Sequence, residues 1–127
     1  MDKAKILVVD DKTFICKELK DKLTEKGYLA FTASSGEEAL RMIGETPFDM
    51  VILDLAMPVM DGYELGRRMR AAIATRSIKI LVLTAKCDPA DRLRAHTEFA
   101  PDSFMLKPFK IAELFTEIAR LLENKKP

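Results

Sequence analysis

The chain has 127 residues, 48% hydrophobic and 32% charged, with 21 basic and 20 acidic side chains giving a formal net charge of +1. That length suits one domain, residues 1–127, able to bury about two-thirds of its unfolded-chain surface. Balanced charge gives no steering toward nucleic acid or membrane, and with neither an 18-residue apolar run nor a signal-peptide pattern the cytoplasm is the default location.

Lys5 to Val9 runs apolar, as a strand covered on both faces does. Phe14 to Glu25 follows with Ile15, Leu19 and Leu23 four apart and charges between, an amphipathic helix ending at Gly27. Tyr28 to Ala33 is a short, more polar strand and so an edge. Ser35 with Glu38 three residues on is a capping box, opening a helix with Ala39, Leu40 and Ile43 inward that Pro47 closes. Asp49 to Leu53 is a third strand, and Asp54 stands where it leaves the core.

Tyr63 to Ala72 carries Leu65 and Met69 at helical spacing. The segment from Ala74 to Ile78 leads into a fourth strand, Lys79 to Leu83, ending at Thr84-Ala85. Asp88, Pro89 and Asp91 read as an N-cap, a proline at the first helical position and an acid in the first turn. The helix they open has the weakest pattern, with Leu93 its one large aliphatic before Phe99. Ser103 to Leu106 is a fifth strand. A last helix places Ile111, Leu114, Phe115, Ile118, Leu121 and Leu122 on one stripe, with Lys125 and Lys126 after it.

Five strands alternating with five helices predict an α/β fold, a (βα)5 doubly wound parallel sheet. The flavodoxin-like strand order 2-1-3-4-5 puts a crevice beside strands 1 and 3. Asp10, Asp11 and Asp54 end those two strands, and Lys107 ends the fifth, so three acids and one lysine converge at one edge. A glycine-rich phosphate loop is missing after the first strand, where Asp10-Asp-Lys-Thr stands, which argues against a nucleotide- or flavin-binding enzyme. Cys16 and Cys87 lack a metal or redox spacing and read as free thiols, and a single histidine, His96, makes a zinc site unsupported. Met57 and Met60 read as loop packing.

In this order and spacing, Asp10-Asp11, Asp54-Leu-Ala-Met57-Pro58, Asp61-Gly62, Thr84-Ala85, Phe104 and Lys107-Pro108-Phe109 resemble the receiver domain of two-component response regulators, over about residues 4–123. The resemblance implies a phosphoacceptor signalling protein rather than a turnover enzyme. Asp54 would take a phosphoryl group from a sensor histidine kinase or phosphotransfer protein. Magnesium, or manganese in its place, would be held by Asp11, Asp54 and the Ala56 carbonyl, with Asp10 acting mainly through water. Thr84, the Ala85 amide and Lys107 would contact the phosphoryl group, Thr84 and Phe104 would act as switch residues, and the Lys107–Pro108 bond would be cis.

The same resemblance implies that the face of the fourth helix, fifth strand and fifth helix meets a downstream protein or a second copy, with no nucleic acid or membrane bound by this domain. Ala56 and Lys86 flank the site at positions that influence loss of the phosphoryl group. Ala100-Pro101 replaces the family's usual Gly-Ala, and the segment from Thr84 to Lys107 is one residue longer than the commonest pattern, which bears on how the fourth helix ends. The alternative of another class is an interaction module of the same fold that ignores phosphorylation.

Overall fold

Near-continuous apolar strands require cover on both faces of a sheet. The computed structural model, which describes residues 3–86 and 88–123, shows that cover. The elements alternate as β1 (Lys5–Val9), α1 (Thr13–Lys26), β2 (Leu29–Ala33), α2 (Gly36–Glu45), β3 (Met50–Leu53), α3 (Gly62–Ala71), β4 (Lys79–Thr84), α4 (Pro89–Phe99), β5 (Ser103–Leu106) and α5 (Ile111–Glu123). The strands are all parallel, in the order β2-β1-β3-β4-β5. Cys87 and the Lys125–Lys126 pair lie outside the described residues. Among the described residues no helix is long and apolar enough to cross a membrane.

The period of two along each strand divides the core. Leu7, Val9, Val51, Leu53, Ile80 and Val82 face α2, α3 and α4, where Ala39, Ile43, Tyr63, Leu65, Met69, Ala95 and Phe99 are buried. Ile6, Val8, Met50, Ile52, Leu81 and Leu83 face the other way, onto Cys16, Leu19 and Leu23 of α1 and Leu114, Ile118 and Leu121 of α5. Each large aliphatic side chain buried this way contributes about 1.5–3 kcal/mol. The sheet and its two helical layers therefore form a rigid frame for whatever stands at the strand ends.

Element ends follow from local hydrogen bonding. β2 begins at Leu29, one residue later than the sequence pattern, because the Tyr28 N–H closes the end of α1 on the Leu23 carbonyl (3.1 Å). The Ser35 hydroxyl accepts from Glu38 N at 3.1 Å, while the Glu38 carboxylate returns to Ser34 N at 2.7 Å rather than to Ser35 itself. The weakly patterned α4 exists through its caps and two buried anchors, Ala95 and Phe99, and leaves Leu93 67% exposed. Asp88 accepts from Ala90 N at 2.9 Å, and Ala100, left-handed at φ 46°, closes the other end by donating to the Ala95 and His96 carbonyls.

Candidate functional site

Strand register assembles the site. Val9 is paired with Leu53, and Leu53 with Val82, so Asp10 and Asp54 leave adjacent strands side by side and Thr84 ends β4 next to them. Backbone bonds continue that register past the strands: Asp10 N donates to Ala33 O at 3.2 Å, Asp54 N to Val9 O at 3.1 Å and Lys107 N to Thr84 O at 2.8 Å. Gly62 lets α3 start directly against the end of β3. A Cβ there would lie 2.4 Å from the Asp54 carbonyl oxygen, so the Asp61-Gly62 pair has a steric reason beside its capping one. Asp61 supplies the cap, accepting from Glu64 N at 3.0 Å.

Asp10 and Asp54 are each 3% exposed, and Thr84 is fully buried. The Thr84 hydroxyl donates to Asp54 Oδ1 at 2.6 Å, and the Ala56 N–H donates to the same oxygen at 3.2 Å. Lys107 Nζ lies 2.7 Å from Asp10 Oδ2 and 3.5 Å from Asp54 Oδ2. Asp10 Oδ1 accepts from Lys12 N at 3.0 Å. The peptide bond from Lys107 to Pro108 is cis.

Asp11 completes the cluster, with carboxylate oxygens of Asp10, Asp11 and Asp54 all within 4.8 Å of one another. Its Oδ1 is buried without a hydrogen-bond partner among the described residues, and Lys12 Nζ, at 3.9 Å, is too distant to serve. An unsatisfied buried carboxylate oxygen is costly, and such an atom calls for an explanation. Three carboxylates against one ammonium also leave a formal charge of minus two. That donor set, all oxygen and doubly negative, fits a hard divalent cation.

Around this centre, Ala56 and Ala85 are exposed and Phe104 is half-buried, with the Arg92 guanidinium 5.5 Å from its ring centroid. Val59, in the β3–α3 loop, is 94% exposed at φ 67°, a conformation that disfavours a β-branched residue. Met57 and Met60 are buried as loop packing, and His96 is exposed on α4. The Cys16 thiol donates to the Asp10 carbonyl at 3.2 Å; burial first, and then the Asp10 carboxylate, push its pKa up, so it stays protonated and unreactive.

One group here escaped the sequence reading. Tyr63 of α3, 1% exposed, donates its hydroxyl to Asp91 Oδ1 at 2.9 Å. Lys86 Nζ lies 3.7 Å from Asp91 Oδ1 and 5.8 Å from the Tyr63 ring centroid, while Arg94 stands 3.8 Å from that ring. Burial first, and then the bond to Asp91, push the Tyr63 pKa up to about 12. Tyr63 and Asp91 are 28 residues apart on different helices, and nothing in local spacing announces the pair.

Comparison with known proteins agrees with this geometry. Residues 6–119 match the response regulator receiver domain family. The probable transcriptional regulator ycf27 of Guillardia theta is 40% identical over 122 residues, 96% of this chain and 46% of that protein. The response regulator MprA of Mycobacterium leprae is 36% identical over 123 residues, 97% of this chain and 53% of its own. The chain thus spans about half the length of the curated relatives it matches.

Among solved structures, the receiver domain of a signal transduction histidine kinase from Syntrophus aciditrophicus superposes with a TM-score of 0.89 at 36% identity, covering 97% of this chain and 92% of that one. The receiver domain of a Pseudomonas aeruginosa sensor histidine kinase, solved with magnesium coordinated in its active-site cleft, gives 0.88 at 28% identity, covering 97% and 100%. TrrA of Thermotoga maritima, a response regulator solved with Mg(2+)-BeF, gives 0.82 at 36% identity, covering 93% and 98%.

Proposed function

This chain belongs to the response regulator receiver domains of two-component systems, and from that premise we propose that it takes a phosphoryl group on Asp54 from a histidine kinase and switches partner binding in response. The observation that supports this most is the pairing around Asp54 itself. One of its oxygens is held by Thr84 and the other faces Lys107, beside an Asp11 oxygen that has no partner among the described residues.

The chain's own residues would work mainly by positioning and charge. An Asp54 carboxylate oxygen attacks phosphorus, the P–N bond of the phosphohistidine breaks, and its electron pair leaves with the imidazole, which takes up a proton. Lys107, now shared between Asp10 and Asp54, turns one donor to a phosphoryl oxygen. The Thr84 hydroxyl and the Ala85 N–H donate to the others, and three strong acceptors reward that rearrangement. Asp11 and Asp54 with the Ala56 carbonyl would hold magnesium, Asp10 acting mainly through water, and the ion supplies further neutralisation of phosphoryl charge. Ala56 is too small and apolar to orient a hydrolytic water, so self-dephosphorylation is slow to intermediate.

Thr84 and Phe104 sit at the start of the route outward. When the hydroxyl re-aims, space opens beside β4, and Phe104, paired in register with Val82, can move inward. The face of α4, β5 and α5, which exposes Leu93 and Leu106, would then meet a downstream protein or a second copy. We place the work of this unit in the cytoplasm, as one receiver domain.

Intact mass measured after incubation with magnesium and acetyl phosphate tests the reading. The expected result is a gain of one phosphoryl group, lost without metal, lost in Asp54→Asn and strongly reduced in Asp11→Asn. A folded protein that gains nothing from acetyl phosphate or from a histidine kinase overturns it and leaves a phosphorylation-independent interaction module as the better reading.

A further inference from the structure

The Tyr63–Asp91–Lys86 group lies outside the set that holds or contacts the phosphoryl group, yet it touches that set through the backbone. The Lys86 N–H donates to Thr84 Oγ1 at 3.3 Å, and the same oxygen donates its proton to Asp54 Oδ1 at 2.6 Å. Lys86 therefore leaves the chain two hydrogen bonds from the phosphoacceptor carboxylate. A lysine carries a point charge on a flexible four-carbon stem with about 2 kcal/mol of rotamer entropy to lose wherever it is held, so which anion it meets depends on which is offered in place. Asp91 is offered in place: its Oδ1 is fixed by the hydroxyl of a fully buried tyrosine that cannot move without disturbing the core of α3.

We propose that Asp91, oriented by Tyr63, is a positioning residue that parks the Lys86 ammonium on α4 and away from Asp54, and that arrival of a phosphoryl group sets up a competition for this cation. The proposal rests on the phosphoacceptor reading above. With the acceptor empty, Asp91 is the best-placed acid for Lys86, since Asp10 and Asp54 already share Lys107. A phosphoryl group adds close to two negative charges at the site, and the cation then has two anions to choose between. Release of Lys86 from Asp91 would free the β4–α4 loop from the first turn of α4, while the tyrosine hydroxyl keeps that turn tied to α3. A phosphorylation event thereby reaches the α3–α4 junction through the Lys86 side chain, by a route that does not pass through Phe104.

Magnesium-dependent binding of beryllofluoride, followed by calorimetry, reads the competition without turnover. Asp91→Asn keeps the helix cap region and the bond from Tyr63 but removes the charge that parks Lys86. It should bind beryllofluoride about twofold to fivefold more tightly than wild type, the scale of a half-exposed ion pair. Tyr63→Phe keeps the ring and loses the orienting hydroxyl, and should move affinity in the same direction by less. The decisive arm is Lys86→Ala: in that background Asp91→Asn should change nothing.

A gain that persists without Lys86 means that Asp91 acts only as a nearby negative charge, and overturns the parking role. No gain in Asp91→Asn overturns it equally. Failure of the wild-type protein to bind beryllofluoride at all is a different result: it removes the phosphoacceptor reading and this proposal with it.

Discussion

The two edges of the sheet use the same side chains to opposite ends. At the edge where the strands begin, Asp49, Asp102 and Glu117 act as staples. Asp49 accepts from Lys5 N at 2.8 Å, tying β1 to β3, and Asp102 accepts from Ile80 N at 2.8 Å, tying β4 to the entrance of β5. Arg70 completes that edge with donors to the carbonyls of Arg76, Ile78, Phe99 and Ala100 and to Asp102. Glu117 similarly joins Ser103 to Arg120. At the edge where the strands end, three acids crowd one lysine, an Asp11 oxygen is unpartnered, and Val59 sits in a strained conformation. Carboxylates fully supplied with donors hold a fold together. Carboxylates left in excess leave room for charge still to come.

The comparison breaks most visibly at Arg70. Its guanidinium joins α3, the α3–β4 turn and the left-handed end of α4, so Arg70→Ala should cost about 2–3 kcal/mol in denaturant unfolding, the sum of several partly exposed charge-assisted bonds. Phosphoryl uptake at the other edge should survive at temperatures where the variant is folded. A loss below about 0.5 kcal/mol, the range of an ordinary surface substitution, would show that these bonds are incidental. That outcome would also leave the stability of Ala100 at φ 46° unexplained.

Val59 probes the opposite edge, where strain should be removable at no structural loss. Val59→Gly should raise stability by about 1 kcal/mol, since a left-handed β-branched residue costs about 1–2 kcal/mol and glycine gives back part of that through its freer unfolded chain. A rise in the urea midpoint at unchanged slope is the expected signature. Destabilisation by this change would mean that the exposed valine makes a contact that the loop needs.

The smallest effect sharpens the comparison through pH. The Arg120 guanidinium, and then the Ser103 hydroxyl, hold the Glu117 carboxyl down at about 2, below its ordinary 4.5. A depressed carboxyl pKa stabilises the fold fully above the unfolded value, and that stabilisation fades as pH falls from about 4.5 toward 2. With the glutamate side chain 26% exposed and the arginine 54%, the contribution stays at about 1 kcal/mol or less. The stability gap between wild type and Glu117→Gln should therefore close as pH drops through that window. A gap of constant size down to pH about 2 would assign the effect of the substitution to packing instead.

Much of this was legible in the linear chain, and for definite reasons. Apolar runs ending in Asp10, Asp54 and Lys107, with amphipathic helices between them, carry their own period and their own stop signals, and parallel βαβ connections admit few topologies. Even α4, with its thin apolar pattern, announced its start through Asp88, Pro89 and Asp91. Boundaries moved by a residue where a backbone group had a second claim on it, as Tyr28 N–H does at the end of α1. Asp10, Asp11, Asp54 and Lys107 could be singled out because they stand at or just past strand ends, and a strand end is a property of sequence order; the other site positions came with the family resemblance.

Other features depend on distances between elements. Register between strands brings the Asp10, Asp11 and Asp54 oxygens together and leaves one of them unpartnered. The crossing of α3 and α4 sets a tyrosine hydroxyl on an aspartate 28 residues away, and the convergence of four segments gives one guanidinium five acceptors. Periodicity determines which face of an element turns inward, and so the sequence by itself determined the layers, the strand ends and the charged groups standing there. Which of those groups meet, and which are left in excess, was decided only when the layers closed, because hydrogen bonds and ion pairs depend on ångström separations that no spacing along the chain encodes.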